Sequence, residues 1–215
     1  MQFDLRERLL ALESRYSDSR FAPSEVTALV RSCIRDKNVR VNTKRSNRVD
    51  LEQVVPGGAY DSGDDTDGVA CIHLDLHYHP DQQHLFLKDV YWDRVSFEIC
   101  EVIGHEYVHR DQSRRRVRNS SYSGTLAEDT ATKQEQQYYG ESHEAEAYGY
   151  SIAAELMCYY NGNADCVSLI QNYQLYHRLF AADQSVIIKL DQFISKYLDK
   201  LKAVQHVKQA AKPKP

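Results

Sequence analysis

The chain has 215 residues and a mass of 24.8 kDa, enough for one well-packed domain or a domain with an appended helical piece. Hydrophobic residues make up 42% and charged residues 27%, which excludes fibrous, collagenous and disordered classes. A net charge of -4 excludes a molecule that binds nucleic acid through its overall field, and no apolar run approaches the ~18 residues of a membrane span.

The N-terminus mixes charge into every turn and has no signal-like apolar core, so a cytoplasmic protein with no membrane partner is expected. Five cysteines, none in a Cys-x-x-Cys pair, read as reduced thiols. The chain is rich in tyrosine, with 15, and four of its nine histidines fall between His73 and His84.

In chain order, helical spacing predicts a helix over Phe3 to Tyr16 and a second from Pro23 to Ile34. A short strand is expected at Val39 to Val41. The polar stretch from 42 to 68, with Pro56-Gly57-Gly58 and an acidic segment from Asp61 to Gly68, reads as a solvated loop. The acidic segment falls short of a calcium loop, because Gly63 stands where the first carboxylate belongs.

From Val69 to His79 the residues alternate strictly, which predicts a half-buried strand. A turn at 80–83 and a return strand over His84 to Tyr91 would complete a hairpin. Helical spacing resumes from Val95 to Arg116. The span Val117 to Gly140 reads as a surface loop, and an alanine-rich helix over Ser142 to Tyr160 ends at Asn161-Gly162-Asn163. Two further helices are expected over 164–182 and 184–208, ahead of a basic tail. The organisation expected is a single domain over 1–208, with a core at about 69–160, a helical C-terminal part at about 164–208 and a tail at 209–215.

The motif that carries chemistry is His105-Glu106-Tyr107-Val108-His109. Residues four apart on a helix share a face, so two imidazoles at this spacing reach one metal ion. Glu106 lies beside that face, where it can take a proton from water attacking a carbonyl. On a helical wheel the three polar residues fall with Val95, Ile99, Val102 and Ile103 within an arc of about 160°. They therefore continue a core-facing stripe, where an unpartnered polar group costs ~1–3 kcal/mol and a bound cation removes the cost. A zinc site needs a third protein ligand. The metzincin spacing is excluded, because Gln112 and Arg115 stand where its glycine and third histidine belong.

Downstream, Glu141-Ser-His-Glu-Ala-Glu-Ala-Tyr-Gly-Tyr150 opens a helix of small residues and leads into Ala154-Glu-Leu-Met157. With the histidine helix and the hairpin expected before it, this segment resembles the gluzincin kind of zincin metallopeptidase. It is similar to the ImmA/IrrE-like and phage-encoded minigluzincin peptidases, over about Val69 to Met157. The resemblance implies an α+β zincin fold: a small, mostly antiparallel sheet on the active helix, with additional N- and C-terminal helices. It further implies Zn²⁺-dependent hydrolysis of a peptide or protein substrate, with His105 and His109 as ligands and Glu106 as general base.

Glu146 is the expected third ligand, with Glu144 as runner-up and His143 third. The wheel places Glu146 about 70° from the centre of the packed face and the other two about 130° away, and the Glu-Ala-Tyr string of the resembled family points to Glu146. Tyr150, one turn on, is the candidate for stabilising an oxyanion.

Two rival readings go with this one. A zincin-like scaffold that keeps its metal could serve as a structural or binding module, for example in a phage particle. The arginines at 110, 114, 115, 116 and 118 could grip nucleic acid, although such a run more commonly solvates a helix end. His73, Asp75, His77 and His79 share a strand face, which reads as a solvent-facing polar face ahead of a second metal site, and the resemblance implies that they line the cleft.

Overall fold

The computed structural model describes residues 2–63, 70–115 and 121–210, and it is a mixed α+β structure. Most of the segment 61–68, Arg116 and Arg118, the start of the 117–140 segment and the tail from 211 lie outside the described residues. The chain forms two compact units, residues 1–110 and 111–215.

In the first unit, α1 (Gln2–Arg15) and α2 (Pro23–Cys33) fall where helical spacing placed them. Proline opens α2, where its missing N–H costs nothing, and the Glu25 carboxylate accepts the Ala22 N–H at 2.7 Å. β1 (Arg20–Phe21) lies between the two helices. β2 (Val39–Arg45) and β3 (Val55–Asp61) follow, then β4 (Cys71–Tyr78) and β5 (Leu85–Phe86).

The main sheet has the order β2-β4-β3, parallel between β2 and β4 and antiparallel between β4 and β3. It is therefore mixed rather than mostly antiparallel. The segment read as a loop from 42 to 68 contains the end of β2 and all of β3. The return strand expected over His84 to Tyr91 is reduced to β5, which pairs with β1, and the chain continues as a 3-10 turn over Leu87–Val90.

Alternation holds in β4: Ile72, Leu74, Leu76 and Tyr78 are fully buried, while His73, Asp75 and His77 are half-buried. The buried row shares one apolar core with Val26 and Val30 of α2, Val41 of β2, and Ile99 and Ile103 of α3 (Trp92–Arg114). Trp92 locks the start of α3 to α1, its indole N–H donating to the Leu9 carbonyl at 2.7 Å.

The second unit is helical: α4 (Thr130–Tyr139), α5 (Ser142–Tyr159), α6 (Gln171–Leu179) and α7 (Gln184–Ala210), with a 3-10 segment over Ala164–Leu169. α4 occupies part of the stretch expected to be loop. Its N-terminus is capped by Asp129, which accepts the Thr132 N–H at 2.8 Å. Gln136 fastens it, accepting the Ala127 N–H and donating to the Leu179 carbonyl, each at 2.7 Å. α5 packs closely on α7 because Gly149 has no side chain, and a Cβ there would stand 2.5 Å from the Phe193 Cβ. Tyr139, Tyr148, Tyr176 and Phe180 stack edge-on or tilted into an aromatic cluster. Among the described residues no helix is long and apolar enough to cross a membrane.

Candidate metal centre

α3 presents His105, Glu106 and His109 from the first unit, and its apolar stripe explains why the motif is drawn inward. Val95, Ile99 and Ile103 bury the helix against the sheet, so His105 and Glu106, at the end of that stripe, are 9% and 7% exposed. The two histidine rings meet edge-on, with their Nε2 atoms 3.2 Å apart. Two nitrogens bound at about 2.0–2.1 Å to one tetrahedral zinc stand about 3.3 Å apart. The pair therefore already has the spacing that a zinc ion requires.

Glu106 lies under β3. A Cβ built at Gly58 would stand 3.1 Å from the Glu106 Cγ, 3.2 Å from its Oε1 and 2.5 Å from the Val102 Cγ1. Only glycine lets the strand come this close. Pro56-Gly57-Gly58 had the look of a turn, and the functional meaning of Gly58 was hidden by the same composition.

The inner residue Tyr107 has a structural task. Its hydroxyl donates to the Asp36 Oδ2 at 2.7 Å, and the Arg110 guanidinium both stacks over its ring and reaches Asp36 at 3.2 Å. Burial, reinforced by the hydrogen bond to Asp36 and its charge, raises the Tyr107 pKa. Arg110 is thus held inside the first unit, whereas Arg114 is exposed.

In the second unit α5 is buried nearly all round, so Glu144 and Glu146 are equally hidden at 5% exposure. The wheel that separated them assumed a single packed face. Glu146 is enclosed by donors: the Lys196 Nζ at 2.5 Å, Gln112 at 3.0 Å, the Tyr197 hydroxyl at 3.1 Å and Arg115 at 3.3 Å. Burial alone would raise its pKa, but the hydrogen bonds from Lys196 and Gln112 and the lysine charge bring it down to about 2. Glu144 lies 3.5 Å from the His143 ring, which also stands 3.3 Å from Glu141. Tyr150 is 7% exposed and packs edge-on against Tyr197 at 5.4 Å.

The four polar residues on the outer face of β4 do not converge. Asp75 accepts from Asn42 at 2.8 Å and faces Lys44, while His79 accepts the Asp81 N–H at 3.1 Å. His73 instead meets Cys71, with Nε2 and Sγ 3.2 Å apart.

No family model, curated protein or solved structure matches this chain.

Proposed function

We propose that the protein is a zinc-dependent metallopeptidase of the zincin kind, with His105 and His109 as metal ligands and Glu106 as general base. The observation that carries this reading is the 3.2 Å separation of the two Nε2 atoms on one helix turn, with a buried glutamate between them. Zinc bound there would supply Lewis acidity, polarising the scissile carbonyl and making water nucleophilic near neutral pH. Glu106 takes the proton of the attacking water and returns it to the leaving amine. Its place under β3 limits solvent access and keeps the carboxylate oriented.

For the third ligand we propose a carboxylate of α5, and the surroundings of the two candidates within the second unit favour Glu144. Glu146 was the first choice from sequence, but an ammonium, a guanidinium, an amide and a phenol already surround it. A cation would have to displace those donors. Tyr150 remains the candidate for stabilising the developing oxyanion. The same metal pair would also suit a scaffold that binds zinc without hydrolysis, and the chemical test separates the two.

The test uses the full chain, loaded with zinc and incubated with a diverse peptide library, with new termini read by mass spectrometry. Cleavage by the wild type is expected, with Glu106→Gln retaining metal and losing ~10²–10⁴-fold in rate. Zinc retention without cleavage by either protein overturns the peptidase reading. Weakened zinc binding in Glu144→Ala, with Glu146→Ala close to wild type, is the expected ligand result, and the reverse pattern restores Glu146.

A further inference from the structure

We propose that Asp61, Cys71 and His73 form a second divalent-cation site, of zinc type, on the face of the β3–β4 ladder turned away from α3. Three observations carry it. Ligand atoms of the three side chains all lie within 4.8 Å of one another. Asp61 is directly opposite Cys71 in the antiparallel register, and His73 follows two residues after Cys71, so the pleat puts all three on one face. The donors also suit the ion: a thiolate, an imidazole and a carboxylate are the groups that zinc takes, and a three-ligand set leaves a fourth position for water.

The spacing agrees with this chemistry. Zinc–sulfur and zinc–nitrogen bonds of about 2.3 and 2.0–2.1 Å in a tetrahedron separate S from N by about 3.6 Å. Cys71 Sγ and His73 Nε2 stand 3.2 Å apart, so a few tenths of an ångström of opening would admit the ion. Cys71 is 3% exposed while Asp61 and His73 are half-buried, giving a shielded sulfur and an accessible mouth. The Gly63 N–H donates to the Asp61 Oδ1 at 2.8 Å and orients that carboxylate.

This site is separate from the histidine pair of α3. Gly58, which touches Glu106, is opposite Leu74 in the register and so lies on the other face of the ladder from Asp61. The ion would tie the Asp61 end of β3 to the central strand. It stands whether or not the chain is a peptidase.

The test is a titration of chelator-stripped, reduced, full-length protein with Co²⁺ and then Zn²⁺. Cobalt bound to a thiolate gives a sulfur-to-metal charge-transfer absorption in the near ultraviolet, which a site built from histidine and carboxylate lacks. The expected result is a band whose full intensity corresponds to one thiolate-bound cobalt per chain, and which is displaced by zinc and survives in His105→Ala. It should vanish in Cys71→Ser. His73→Ala and Asp61→Asn should each weaken cobalt binding by more than the ~10–100-fold typical of losing a ligand's hydrogen-bonding partner. Far-ultraviolet dichroism of each variant checks that the fold persists, and the two non-cysteine variants decide the matter if Cys71→Ser does not fold. Absence of the band in the wild type, its persistence in Cys71→Ser, or wild-type affinity in both His73→Ala and Asp61→Asn overturns the proposal. Loss of only the zinc that depends on His105 bears on the α3 site alone.

Discussion

Glu146, a ligand candidate in sequence, is enclosed by hydrogen-bond donors in the fold. Its pKa falls from 4.5 to about 2, so its ionised form is favoured in the folded state. The associated stability is fully present above the unfolded value near 4.5 and is lost as pH falls through about 2. Glu146→Gln should therefore lower the melting temperature at pH 7, and the gap from wild type should narrow steadily as the pH is taken from 5 towards 2. Thermal melts across that range check it, and a gap independent of pH would show that the ion pairs contribute little.

At the scale of elements, the approach of β3 to α3 is sensitive to side-chain volume. Gly58→Ala places a methyl 2.5 Å from the Val102 Cγ1, an overpacking that costs ~1–3 kcal/mol. Under the proposed peptidase function it should also reduce turnover, because the methyl would press on the Glu106 side chain. Val102→Ala in the same chain should recover much of the stability, a coupling that a double-mutant cycle measures.

β3 also marks where sequence reading stops. Strong periodicity made α1, α2, α3, α5 and the alternating β4 legible, as it did the His105-Glu106-His109 trio. β3 was not legible because Val55-Pro56-Gly57-Gly58 has the composition of a turn, and only its pairing with β4 makes it a strand. α4 escaped for a related reason: Gln136 is its buried residue, so a helix held by amide hydrogen bonds and an aspartate cap carried no apolar stripe to read. The donors that reach Glu146 from residues 112, 115, 196 and 197 were not legible either, because local spacing does not contain that information.

For the molecule as a whole, the proposed metal would be coupled to folding, since its ligands come together only in the native state. Chelation should lower the melting temperature of the wild type, and added zinc should raise it in proportion to RT ln(1 + [Zn]/Kd). His105→Ala should reduce both responses. An identical melting temperature with and without chelator would mean that metal contributes nothing to the native state.

The order of the main sheet carries a different consequence, for how the chain acquires its structure. β4 is the central strand and the last of the three to emerge from a ribosome, so β2 and β3 have no partner in their own sheet until the chain from Cys71 to Tyr78 has been made. Neither pairs with the other, and both depend on β4 for their ladder hydrogen bonds. Native-state hydrogen exchange should accordingly find β2, β4 and β3 amides opening together as one cooperative unit. The strand over Glu106 would then be no looser than the centre of the sheet, despite lying at its edge.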